Sequence, residues 1–248
     1  MNISAVVLTK NEERNIAACL KGLAFCDEIL VIDDGSNDKT HKIAKSYGAK
    51  VYIRELEGDF ARQRNFGQDM AKGRWILFVD ADERVSQELQ EEIVKETSRE
   101  NNPYSGYYLK REDYLWGKKL CYGETTNLKF LRLARKGAGR WKRRVHEFWR
   151  IVGRTRTLKN PLLHYPHQTL REFISDINFH STLHAKANLE EGKSSNLLKI
   201  MFYPKLKFFR NYILRLGFLD AEAGFVVALL MSFHSFLAWS KLWLMQRK

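Results

Sequence analysis

In its first third the chain repeats one pattern: a short apolar run that stops on a polar cluster, then a stretch of helical spacing. Ile3-Ser4-Ala5-Val6-Val7-Leu8 closes on Thr9-Lys10-Asn11-Glu12-Glu13-Arg14-Asn15, after which Ile16, Cys19, Leu20 and Leu23 fall on one helical face. Glu28-Ile29-Leu30-Val31-Ile32 closes on Asp33-Asp34-Gly35-Ser36-Asn37-Asp38, and Thr40 to Ser46 follows with Ile43 and Ala44 inward. A third strand is expected from Ala49 to Ile53, and a fourth, Trp75 to Val79, closes on Asp80-Ala81-Asp82. This alternation predicts an α/β domain with a parallel sheet, whose ligands bind outside the carboxyl ends of the strands. Thr9, Asp33, Asp34, Asp80 and Asp82 all fall at such ends. Alternate residues of an extended chain face one side, so Asp80 and Asp82 can share a hydrated Mg²⁺ or Mn²⁺ while Ala81 leaves room for it. The competing reading is a polar turn, with Asp82 or Glu83 near the N-terminus of the next helix.

Four ordered blocks carry a family resemblance: Val7-Leu8-Thr9-Lys10-Asn11-Glu12, Val31 to Asp38, Ala61-Arg62-Gln63-Arg64-Asn65-Phe66-Gly67, and Phe78-Val79-Asp80-Ala81-Asp82-Glu83. On them the chain resembles the family 2 nucleotide-sugar glycosyltransferases. Val145-His146-Glu147, Leu163-His164-Tyr165 and Leu216-Gly217-Phe218-Leu219-Asp220 add a looser likeness to the branch of lipopolysaccharide core glucosyltransferases. The resemblance implies a GT-A fold, a Rossmann-like and mostly parallel mixed sheet flanked by helices. It implies a catalytic domain over residues 1–195, with the nucleotide sugar on 1–100 and the acceptor on 101–195, before a helical, membrane-associated segment over 196–248. The boundary is read from Gly192-Lys193-Ser194-Ser195-Asn196. The implied reaction is metal-dependent, inverting transfer of a hexose from a UDP-linked donor to a phosphorylated glycolipid or lipid-linked saccharide.

The resemblance and the strand-end geometry together give the expected roles. Asp82 is the first metal ligand, and Asp80 shares the ion or meets the ribose. Thr9 and Asp34 match positions that contact the base, with Glu12 and Asn65 as second contacts; Asp33 can instead cap the following helix. Arg62 can meet the diphosphate, and Arg64 is an equally simple choice. The base that deprotonates the acceptor hydroxyl is expected at Glu147, the lone acid in a basic stretch, with Asp113 and Glu124 as alternatives. Arg140, Arg143, Arg144 and His146 are expected at the acceptor. His164 and His167 read as loop residues, and His180 with His184 as a helix face.

The net charge of +13 calls for an anionic partner. Eleven Lys or Arg lie between Arg132 and Lys159 against one acid, and eight between Lys199 and Lys248 against two. No nucleic-acid-binding signature accompanies either group, and the second is interleaved with apolar residues, which an anionic membrane surface selects. Lys205 to Leu216 reads as a basic amphipathic helix, and Ala223 to Ser240 as an uncharged run just short of a bilayer span. Three cysteines without C-x-x-C spacing suggest a reducing compartment, and the first apolar run is a strand and not a signal peptide. The expected location is the cytoplasmic face of the inner membrane, peripheral or monotopic. Two other classes share some of these features. A nucleotidyltransferase-like enzyme would carry a glycine-rich first turn, where this chain has Thr9-Lys10-Asn11-Glu12-Glu13. A non-catalytic, membrane-recruited binding protein would be expected to lack Asp82, which is present.

Overall fold

Strand register fixes which side chains meet. The first strand, β1 (Ile3–Thr9), is followed by α1 (Ile16–Lys21), β2 (Glu28–Asp33), α2 (Thr40–Ser46), β3 (Lys50–Ile53), α3 (Phe60–Met70) and β4 (Trp75–Asp80). The structure, a computed structural model, describes residues 2–125, 128–166 and 169–247, so His167 lies outside the described residues. β1 pairs in parallel with β2 and with β4, placing Thr9 opposite Asp33 and Leu8 opposite Asp80, while β2 pairs in parallel with β3. The polar strand ends of the sequence therefore form one continuous edge.

After β4 come β5 (Glu83–Val85), α4 (Gln87–Thr97), β6 (Tyr104–Leu115), β7 (Lys118–Leu120), β8 (Lys129–Arg135), β9 (Gly139–Lys142), β10 (Phe148–Ile151), β11 (Arg154–Thr157) and β12 (Leu162–His164). The sheet runs β3-β2-β1-β4-β8-β6-β12-β5, with β11 beside β6, and turns antiparallel from β4 to β8. It is a mixed sheet flanked by helices, as the resemblance implies. β9 and β10 make a separate antiparallel pair.

Contacts divide the chain into two units, Met1–Arg111 with Asn127–His164, and Glu112–Thr126 with Tyr165–Lys248. In the first, both faces of the sheet are covered, which is why β1 and β4 read as unbroken apolar runs. Val7, Val31 and Leu77 pack with Leu20, Leu89 and Ile93 on one face, and Val6, Ile32 and Phe78 with Ala61, Trp141 and Trp149 on the other. Side-chain caps start the helices: Asp59 accepts from the Arg62 N–H at 2.9 Å and Ser86 from the Leu89 N–H at 3.4 Å.

The second unit holds the β6–β7 hairpin and three helices, α5 (Leu170–Glu190), α6 (Leu197–Phe209) and α7 (Ala221–Met245). Thr169 and Glu172 form a capping box on α5, and Asn196 caps α6. Leu115, Leu120, Phe173, Ile177, Val227 and Leu230 are its core. The expected break after residue 195 is the turn between α5 and α6 inside this unit. The amphipathic helix expected from Lys205 begins earlier, at Leu197, and runs into a π-helical turn over Arg210–Leu214. The Leu216-to-Asp220 block is a tight helical turn: Leu216 is left-handed (φ 56°), and the Asp220 carboxylate accepts from the Cys121 and Tyr122 N–H groups. The apolar run lies within α7, and among the described residues Gly217–Met245 is the one helical stretch long and apolar enough to cross a membrane by length and composition.

Gly67 lets α3 approach the sheet: a Cβ there would overlap Val6 Cγ1 and press on Ile32 Cγ1 at 3.1 Å. Since Val6 is a buried, branched side chain with little room to yield, Gly67→Ala is expected to lower unfolding free energy by roughly 1–3 kcal/mol, measured by urea denaturation. An unchanged midpoint would show that the helix can ride outward without loss.

Candidate active site

Asp80 ends β4 and stands between two guanidinium groups. Arg64 from α3 donates through Nη2 to Asp80 Oδ1 at 2.9 Å, and Arg132 from β8 donates through Nη2 to Oδ2 at 2.6 Å. The two arginine side chains are only 5% and 6% exposed. Burial alone would raise the Asp80 pKa, but Arg132 and Arg64 more than reverse this and hold it well below the usual carboxylate range. Glu83 completes the group. Its Oε2 accepts from the Asp80 N–H at 2.8 Å and its Oε1 lies 3.3 Å from Arg132 Nη2, while burial pushes its carboxyl above the ordinary value.

Arg64 also reaches the loop before β10, donating through Nε to Glu147 Oε1 at 2.9 Å. Its guanidinium lies over the Trp141 ring at 4.7 Å, so β9 supplies an aromatic wall. Thus one buried arginine joins the strand-end carboxylate to the expected base. Asp82 has a different partner: its Oδ2 is 3.1 Å from Nε2 of His164, at the end of β12. Burial would raise the Asp82 pKa, and His164 brings it below the usual value. Asp80 and Asp82 thus leave the strand end in separate pairings.

The remaining expected residues fall into three groups. Thr9 is buried on the same edge, and its Oγ1 has no partner among the described residues. Asp34 accepts from the Leu56 N–H at 2.6 Å and from Lys10 Nζ at 2.8 Å, whereas Asp33 closes its own turn on Ser36. Glu12 accepts from Asn15 Nδ2 at 2.8 Å at the start of α1. On α3, Arg62 is exposed and paired with Glu57, and both amide atoms of Asn65 are used on the backbone of Trp141, each at 3.0 Å. Arg140 pairs with Asp69, and Arg143 and His146 have left-handed backbone conformations, φ 71° and 55°. The two alternative bases belong to the second unit. Asp113 is buried in β6, and Glu124 holds Lys207 and Asn211. His180 and His184 lie on α5.

Three participants escaped the reading of sequence. Arg132 appears there only as one charge in a basic stretch, although an arginine between Leu131 and Leu133 in an apolar alternation signals a buried cation. In the sequence Glu83 is the end of a family block or a helix cap, and His164 part of a looser block and a loop residue, with no role at the site for either, although Leu162-Leu163-His164 repeats the pattern of an apolar strand closing on a polar residue. Among the described residues no three His, Cys, Asp or Glu side chains form a ready-made metal cage. Asp82 and His164 are two neighbouring donors of the kind that could help to hold a divalent cation.

The glycosyl transferase family 2 model matches residues 4–162. The chain belongs to that family. This family 2 glycosyltransferase is 31% identical over 254 residues to the lipopolysaccharide core biosynthesis glycosyltransferase LpsC of Rhizobium meliloti (strain 1021), covering 97% of this chain and 92% of the relative. An uncharacterized glycosyltransferase of Rickettsia bellii is also 31% identical, over 253 residues, with 97% of this chain and 85% of the relative covered. Among solved structures, residues 1–349 of S. aureus TarS in complex with UDP-GlcNAc align with a TM-score of 0.48 at 16% identity, covering 95% of this chain and 82% of that one.

Removing the charge from Asp80 would leave two buried guanidinium groups short of their counter-ion. Asp80→Asn is therefore expected to cost roughly 3 kcal/mol of stability, the order seen when a buried ion pair loses one partner. Chemical denaturation reads this directly, and a variant as stable as the parent would mean that the arginines do not depend on Asp80.

Proposed function

We propose that this glycosyltransferase moves a hexose from a UDP-sugar to a phosphorylated glycolipid acceptor, with inversion, in the assembly of lipopolysaccharide or a related envelope glycan. The observation that carries the reading is the joining of the strand-end carboxylate Asp80 to Glu147 through Arg64. The full-length likeness to a lipopolysaccharide core biosynthesis glycosyltransferase supports the acceptor class.

The chemistry follows from the atoms available. Glu147 Oε1 is committed to Arg64, so Oε2 is the atom that takes the proton of the attacking hydroxyl. Arg64 Nη1 and Arg132 Nη1 and Nε have no partner among the described residues, although each is buried. They are the donors suited to charge that builds on the departing diphosphate. Asp82 and His164 would hold Mg²⁺ or Mn²⁺, which when bound neutralises that same charge. Thr9 and Asp34 line the edge where the base would sit.

A membrane location is part of the proposal. Leu197, Leu198, Phe202, Leu206 and Phe209 of α6 are half exposed or more, with Lys199 and Lys205 among them and Arg210 just beyond the end of the helix. Such a face suits the headgroup boundary of an anionic bilayer, with the lysine stems lying along the apolar surface. The proposed attachment is monotopic, at the cytoplasmic face.

Two outcomes are expected. Asp82→Asn should lower transfer on the order of a hundredfold while the protein stays folded, given what a bound metal ion contributes to charge stabilisation; undiminished turnover, or stronger thermal protection by ADP than by UDP in the parent protein, would sink the assignment. For the membrane, detergent but not high salt should release the full-length protein from the particulate fraction, and Phe202→Asp with Leu206→Asp should make it soluble. Complete release of the parent protein by salt would mean that charge alone held it.

A further inference from the structure

A cleft of ≈ 500 Å³ opens between α3 and β9 with the loop that follows it. Arg62, Asn65, Phe66 and Asp69 of α3 line it, whereas Gln63, Arg64 and Gly67 of the same helix are buried. The cleft is therefore separate from the Asp80 cluster. Among the described residues its walls carry Arg54, Arg62, Arg140, Lys142, Arg143 and Arg144 against the carboxylates Asp59 and Asp69, with Glu57 beside Arg62. Of these acids, Asp59 accepts from the backbone N–H of Arg62 as the cap of α3. The pairs Arg62–Glu57 and Arg140–Asp69 are made by side chains about half exposed, and exposed pairs hold weakly enough to exchange for a stronger anion. Arg54 is stacked over Phe66 at 5.2 Å, which restricts its guanidinium without neutralising it.

The cleft is also fixed in shape. Asn65 grips the Trp141 backbone from both sides at 3.0 Å, and the Phe60 N–H donates to the Arg144 carbonyl at 3.0 Å. Excess positive charge on a rigid frame matches a dianion such as a phosphate monoester. On the reading above, the donor's diphosphate is met at the strand edge by Arg64 and Arg132 and does not need this cleft. What connects the cleft to the reaction is the chain itself: Arg144 lines it, and Glu147 follows three residues later, at most about 11 Å along the backbone.

We propose that this cleft binds a phosphate-bearing saccharide, the anionic part of the acceptor, and presents it to Glu147. The assignment rests on the glycolipid-acceptor reading above and names the group by which the acceptor is held. Phosphate on a sugar and phosphate in a lipid headgroup share the chemistry, so the test separates them.

Full-length protein is titrated with glucose 6-phosphate and with UDP by calorimetry, and its binding to phosphatidylglycerol vesicles is measured by flotation. The double variant Lys142→Glu, Arg143→Glu changes two exposed side chains. It is expected to lose tenfold or more in affinity for glucose 6-phosphate. A variant with the same charge change on another exposed surface, Arg154→Glu with Lys159→Glu, is expected to bind as the parent does. Equal losses in both variants would show a general charge effect and overturn the proposal, as would no measurable binding of glucose 6-phosphate by the parent. A parallel fall in UDP affinity in the Lys142/Arg143 variant would assign the cleft to the donor, and release from vesicles with glucose 6-phosphate binding intact would assign it to the bilayer; either overturns the proposal. If the parent fails to bind UDP, the donor reading falls by itself and the glucose 6-phosphate titration still decides the cleft.

Discussion

The double grip of Arg64 and Arg132 on one carboxylate is the constraint around which the strand edge is arranged. Two guanidinium groups cannot be taken out of water without compensation, and a single carboxylate with two oxygens can answer both if each arrives from its own side. That condition ties three elements together: α3 brings Arg64, β4 ends in Asp80, and β8 delivers Arg132 from the first antiparallel strand. Glu83 and Glu147 absorb part of the remaining charge. Trp141 and Phe78 supply ring faces to Arg64, which gives the hairpin β9–β10 an electrostatic as well as an apolar reason to pack where it does.

This arrangement divides two carboxylates that the sequence presents as twins. Asp80 is spent on holding the arginines, whereas Asp82, two residues on, meets a single histidine from the far end of the sheet. The difference comes from what lies opposite each. Asp80 is balanced by two permanent guanidinium charges, whereas the partner of Asp82 is a single titratable ring.

How far the sequence foretold this can be followed residue by residue. The parallel core was legible because a strand covered on both faces must be apolar throughout and must stop when it reaches solvent; Thr9, Asp33 and Asp80 mark those stops, and register then makes them neighbours. The bounds of α2 agree with the reading to the residue. The antiparallel half was not legible in the same way, since β8, β11 and β12 are short or mixed in polarity and their pairing depends on long-range register. At the site, Asp80 and Asp82 announced themselves by position. Which arginine of Ala61 to Gly67 turns inward did not, because that depends on the rotation of α3, fixed by the close approach of Gly67 to the sheet. His164 was hidden for a related reason: its partner lies 82 residues earlier in the chain.

The contacts that α3 makes with β9 have a further consequence. A two-stranded ribbon such as β9–β10 offers unpaired backbone groups along its margin, and a margin of that kind can recruit a strand from another molecule. Here side chains stand in for the missing strand. Asn65 takes both the N–H and the carbonyl of Trp141, and Gln68 Nε2 donates to the Gly139 carbonyl at 2.7 Å. The helix thereby satisfies the ribbon with amide groups at one-turn spacing, and the same two residues that hold the aromatic wall in place also close a margin open to edge-to-edge association.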